Sequence, residues 1–109
     1  MMYAMTQPYA LHVVFELRSM EDAAAFDALV AETLEGIRKE PGTLVYTVHA
    51  PVGEPLTRVF YELYASEEAF QEHENAPHTE RMLRERKPYL AGPPEVTFMH
   101  KTMGKVPTA

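Results

Sequence analysis

Residues 40–64 read EPGTLVYTVHAPVGEPLTRVFYELY, and this stretch decides the fold. Apolar and β-branched residues alternate along Thr43–His49 and again along Leu56–Tyr64. Between them Ala50-Pro51-Val52-Gly53-Glu54-Pro55 has the Pro and Gly content of a turn. Two alternating runs joined this closely predict an antiparallel hairpin. In the first run Leu44, Tyr46 and Val48 fall on one side, with Val45, Thr47 and His49 on the other. In the second, Leu56, Arg58, Phe60, Glu62 and Tyr64 oppose Thr57, Val59, Tyr61 and Leu63.

Toward the N-terminus, Pro41-Gly42 ends a helix that begins after Ser19 and runs to about Lys39. Ser19 is a capping residue, and Glu21 and Asp22 suit the positive end of the dipole. Phe26, Leu29, Val30, Thr33, Leu34 and Ile37 recur at three- and four-residue spacing, which is one buried face. Before it, Tyr9–Arg18 alternates as a strand, with Leu11, Val13, Phe15 and Leu17 on one side. Beyond the hairpin, Ser66-Glu67-Glu68 starts a short helix with Ala69, Phe70 and His73 inward, and Asn75-Ala76-Pro77 breaks it. A further helix, His78 to about Lys87, carries Thr79, Met82, Leu83 and Arg86 on one stripe until Pro88. Gly92-Pro93-Pro94 then leads into a last strand, Glu95–Lys101.

The order βαββαβ predicts an α+β, ferredoxin-like domain: an antiparallel sheet with its helices on one face. The domain spans residues 9–103, between a lead-in at 1–8 and a tail at 104–109. The uncovered sheet face still carries apolar side chains, which predicts a homodimer.

Bulk composition narrows the function. The 109 residues make one domain, with 46% apolar and 24% charged residues and a net charge of -6. Arg81, Arg84, Arg86 and Lys87 are interleaved with Glu80 and Glu85, so no basic face forms and nucleic acid is not an expected partner. The same balance argues against anionic membrane surfaces. No cysteine is present, which removes thiol chemistry and Cys-ligated metals. With no apolar stretch of membrane-spanning length, a cytoplasmic protein is expected.

Four segments carry a family resemblance: Glu40-Pro41-Gly42-Thr43-Leu44-Val45-Tyr46, Phe60-Tyr61-Glu62-Leu63-Tyr64, Ala69 with His73, and His78. Together they resemble the antibiotic biosynthesis monooxygenase family over roughly residues 9 to 101. The resemblance implies a dimeric α+β barrel with a pocket between sheet and helices in each subunit. It also implies a monooxygenase that uses O₂ and no flavin, haem or metal on a small aromatic quinol, phenol or anthrone. Such a ring, once deprotonated, can itself pass an electron to O₂, so the protein need only bind, deprotonate and shield it. An isomerase acting on a small ketone or lactone, and a non-catalytic binding module, are the alternatives on this fold. Haem degradation is excluded: relatives with that activity use an Asn on the first strand and a Trp, whereas this chain has no Trp and its only Asn is Asn75.

The resemblance points to Tyr64, His73 and His78 as catalytic candidates. Tyr64 is either an aromatic wall that hydrogen-bonds a substrate oxygen or a core tyrosine. A histidine's ordinary titration range suits His73 to taking a phenol proton, the alternative being a satisfied residue at a helix end. His78 follows Pro77, where a capping or surface role competes. Arg86 could steady a phenolate, or pair with Glu62. Tyr46, Phe60 and Phe15 are candidate pocket walls, or simply core. No two histidines have the i, i+4 spacing of a helical zinc motif, so no metal site is expected, and the resemblance implies no cofactor.

Overall fold

The computed structural model describes residues 7–106; the outer parts of the expected lead-in and tail, residues 1–6 and 107–109, lie outside it. Its elements are β1 (Tyr9–Glu16), α1 (Met20–Ile37), β2 (Thr43–His49), β3 (Thr57–Tyr64), α2 (Glu67–Glu74), α3 (Pro77–Glu85), a 3₁₀ turn (Lys87–Tyr89) and β4 (Glu95–His100). Local chemistry accounts for the boundaries. Ser19 Oγ accepts from the Asp22 N–H at 3.0 Å and Ser66 Oγ from the Ala69 N–H at 3.1 Å, each satisfying one of the free donors that open a helix. Pro77 stands in the first turn of α3, where a missing N–H costs nothing. Gly53, at φ 81, takes the left-handed conformation in the β2–β3 turn.

The sheet order is β2-β3-β1-β4, and every pairing is antiparallel. This is the expected ferredoxin-like arrangement. Leu11, Val13 and Phe15 from β1 meet the buried stripe of α1, which is Ala23, Phe26, Leu29, Val30, Thr33 and Ile37. Three phenylalanines lock the layers together: Phe15 lies 4.8 Å from Phe60 and 5.1 Å from Phe26 between ring centroids. Phe60 is fully buried, and emptying such a position costs about 3–5 kcal/mol.

One strand departs from simple alternation. Thr43 pairs with Tyr64 while Val45 pairs with Leu63, so a bulge at Leu44 shifts the register. Thr43, rather than Leu44, therefore shares the helix-side face with Tyr46, and Leu44 is half exposed. The helices also stop short of β4. Val96 and Phe98 lie on the helix-side face, opposite Val13 and Leu11, yet Phe98 is 55% exposed. The opposite face of the sheet mixes half-buried Val14, Val45, Val59, Tyr61 and Met99 with exposed His12, Glu16, Thr47 and Thr97. Among the described residues no helix is long and apolar enough to cross a membrane.

Candidate active site

Where α2 and α3 fail to close over the sheet, a cavity of about 120 Å³ remains. Its floor is Leu11, Val13, Phe15, Tyr46 and Phe60, with Val96 and Phe98 on the β4 side. The whole inward stripe of α3 faces it: Thr79, Met82, Leu83 and Arg86. Since Phe98 is largely exposed, the cavity opens toward the β4 edge. An apolar hollow with a few convergent polar groups is the usual form of a small-molecule site.

Glu62 is the polar centre of this hollow. Strand alternation places it on the helix-side face, between Leu11 and Tyr46 on the neighbouring strands, and it is only 6% exposed. Burial pushes its carboxyl up to about 7; the Tyr64 hydrogen bond and the Arg86 charge act the other way, and Glu74 adds to the rise. The rise brings its titration toward neutral pH, the range that suits a general base. The Tyr64 hydroxyl donates to Glu62 Oε1 at 2.6 Å and fixes its position.

Two further polar groups face the cavity with no hydrogen bond or ion pair among the described residues. The Arg86 guanidinium lies over the Phe15 ring, 5.1 Å from its centroid. Among the described residues it makes no ion pair with Glu62, and burial lowers its pKa from the usual arginine value. Thr79 is 4% exposed, and its hydroxyl has no hydrogen-bond partner among the described residues. A buried orphan hydroxyl costs about 1–3 kcal/mol, so this one is a standing invitation to a ligand oxygen.

Of the residues singled out in the sequence, Phe15, Tyr46, Phe60, Arg86 and His73 line this one cavity. Tyr64 does not line it. It is fully buried behind Glu62, and burial and the neighbouring carboxylate push its pKa far above the ordinary tyrosine value, so its hydroxyl keeps its proton. Tyr46 is raised as well, chiefly by burial. His73 touches the rings of Tyr64 and Tyr46, at 5.2 and 5.7 Å, and is anchored through Nδ1 to Glu40 at 2.9 and 3.2 Å. His78 stands away from the cavity, with Nε2 against the other Glu40 oxygen.

Glu40 thus joins three segments, since Thr43 Oγ1 also donates to it at 2.6 Å. Burial works to raise its pKa, but the hydrogen bonds from Thr43, His73 and His78 prevail and hold it below the usual carboxylate value. Glu40, Glu62 and Thr79 were absent from the candidates drawn from the sequence. Glu62 could have been singled out there, because it is the lone carboxylate on a strand face it shares with Leu56, Arg58, Phe60 and Tyr64.

Fold and cavity together define a small ferredoxin-like domain with a hollow between its sheet and its second helical layer. The family model for antibiotic biosynthesis monooxygenase matches residues 8–85, and the chain belongs to that family. Solved structures show the same fold. A candidate antibiotic biosynthesis monooxygenase from Caulobacter crescentus superposes with a TM-score of 0.84 at 21% identity, over 90% of this chain and 92% of that one. A conserved protein from Methanosarcina mazei gives 0.83 at 18%, over 89% and 95%. Rv0793 from Mycobacterium tuberculosis gives 0.80 at 26%, over 89% and 97%. No curated protein matches the chain.

Proposed function

We propose that this protein is a cofactor-independent monooxygenase that oxidises a small phenol, quinol or anthrone with O₂, working as a cytoplasmic homodimer. One observation carries the reading: a buried carboxyl in an aromatic cavity, its pKa raised by burial, beside a guanidinium with no ion pair and a hydroxyl with no hydrogen-bond partner among the described residues. Glu62 takes the substrate proton. Arg86 and Thr79 hold the oxygen on which charge develops, in a desolvated place where such contacts count most. Tyr64 positions Glu62 and does not touch the substrate. His73, oriented by Glu40, supplies a second proton carrier at the cavity wall.

For a substrate with a reactive methylene the steps balance. Deprotonation gives a carbanion that passes an electron to O₂, and the radical pair joins to form a C–O bond. Loss of the second C–H proton with cleavage of the O–O bond then yields the carbonyl and water. The substrate is the only reductant. The cavity, about 120 Å³, is on the scale of the hollow of about 150 Å³ that holds one benzene ring. A single ring matches that scale, with the rest of its molecule directed toward the β4 mouth.

The dimer rests on the mixed apolar face of the sheet, which a second copy would cover. Sedimentation velocity reads it directly, and a monomer at high concentration refutes it. The activity is tested by oxygen uptake against hydroquinones, naphthoquinols and anthrones. Uptake above autoxidation, reduced by about 10²–10⁴ in Glu62→Gln, is the expected result. Turnover that persists without oxygen would instead favour an isomerase using the same base.

A further inference from the structure

Glu40, His73 and His78 form a second cluster on the far side of His73 from the substrate cavity. Each offers one ligand atom, and the three atoms lie within 4.8 Å of one another. His73 Nδ1 is 2.9 Å from Glu40 Oε1, and His78 Nε2 contacts Glu40 Oε2. The cluster opens into a separate cavity of about 410 Å³, whose walls include Lys39 and Glu72. His73 is the residue that lines both cavities.

We propose that Glu40, His73 and His78 are a binding site for one divalent transition-metal ion, with an open coordination position toward this second cavity. Two imidazoles and one carboxylate are the donor set that suits zinc, cobalt, nickel or copper, and three protein ligands leave the fourth position to solvent or a small anion. Bonds of about 2.0–2.1 Å place the ligand atoms of a tetrahedral ion roughly 3.3 Å apart. The His73–Glu40 contacts, at 2.9 and 3.2 Å, already match that spacing. The ion needs Glu40 and His78 to part slightly, and the His78 side chain is about a quarter exposed.

The fold also makes room for the second imidazole in a way a plain surface histidine does not require. A Cβ on Gly36 would come within 2.8 Å of three atoms of the His78 ring, so the ring occupies the space that glycine leaves on α1. Three elements thereby contribute: the α1–β2 connection carries Glu40, α2 carries His73 and α3 carries His78. Local spacing along the chain conceals this set, because Glu40 lies 33 residues from His73 and 38 from His78. The site stands independently of the proposed oxygenase activity.

The test uses the full-length protein after treatment with a chelator. Titration with Co²⁺, followed by visible absorption, should show saturable binding of one ion per chain with the intensity of four- or five-coordinate cobalt. Zn²⁺ should displace the Co²⁺ colour and raise the melting temperature. His78→Ala should weaken Co²⁺ binding at least tenfold while leaving the circular dichroism unchanged. Glu40→Gln should do the same, and His49→Ala, at an exposed histidine, should bind as the parent does. Absence of saturable binding at millimolar Co²⁺, or equal affinity in parent and His78→Ala, overturns the site.

Discussion

Replacing Glu62 by Gln tests the central feature of the cavity through stability as well as activity. The carboxyl titrates at about 7 in the fold against an ordinary value of 4.5, and burial is the leading cause. A carboxyl raised in this way stabilises the fold while protonated. Its contribution is complete below about 4.5 and is lost as pH climbs through 7. At roughly 1.4 kcal/mol per pH unit, the loss across that window is about 3 kcal/mol. Glutamine has nearly the same shape and can still accept from the Tyr64 hydroxyl, but it never ionises. The variant should lie within about 1 kcal/mol of the parent at pH 5 and exceed it by up to about 3 kcal/mol at pH 8, roughly 10–20 °C in melting temperature for a domain of this size. Urea unfolding at pH 5, 6, 7 and 8 measures the difference. The same variant should be nearly inactive, which would place stability and activity in opposition at one residue. Parallel pH dependence in parent and variant would refute the assignment of Glu62 as a buried, strained base.

Thr79→Val removes the orphan hydroxyl without changing shape; the free protein should be unchanged or stabilised by about 1 kcal/mol, while KM for a phenolic substrate rises. Thermal melting together with steady-state kinetics separates these two effects. Arg86→Leu removes a charge that holds the Glu62 carboxyl down, so the acid limb of the pH–rate profile should move to higher pH and KM should rise. An unshifted limb would show that the guanidinium does not act on Glu62. Gly36→Ala forces a methyl group into the His78 ring, so despite alanine's better helix propensity the domain should lose about 1–3 kcal/mol by chemical denaturation. His78→Ala in the same background should recover part of that loss.

Much of the fold was legible because its signals are local. Ser19 and Ser66 announce their helices, and both cap as their types suggest. The α1 stripe from Phe26 to Ile37 and the α3 stripe from Thr79 to Arg86 each bury the face that their spacing marks. The bulge at Leu44 was not legible, since alternation carries no sign of an extra residue in one strand of a pair. The bareness of β4 was also hidden: Val96 and Phe98 alternate like any half-buried strand, and only the reach of α2 and α3 decides that they stay exposed. Phe15, Tyr46, Phe60 and Arg86, and His73 from the resemblance, line one cavity. Its chemistry followed only in part: alternation puts Glu62 on the face of Phe60 and Tyr64, but does not tell whether its neighbours leave it in water or enclose it.

Glu62 and Glu40 show how enclosure divides two similar side chains between different tasks. Glu40 sits at the margin of the core and collects hydrogen bonds from Thr43, His73 and His78, which favour its ionised form and turn it into a brace between α1, β2 and the second helical layer. Glu62 sits deeper, with one hydroxyl donating to it, and burial outweighs that bond. A group that already holds its proton weakly and its partners firmly has little to offer a reaction. A group poised between its two forms, beside Arg86 and Thr79 and open to a cavity the size of one ring, can exchange a proton with whatever fills it. His73 lies between them, bound to the first carboxylate and lining the cavity of the second. Uncoupling His73 from Glu40 should therefore disturb the cavity less than altering Glu62 does, and comparing kcat in Glu40→Gln with kcat in Glu62→Gln ranks the two.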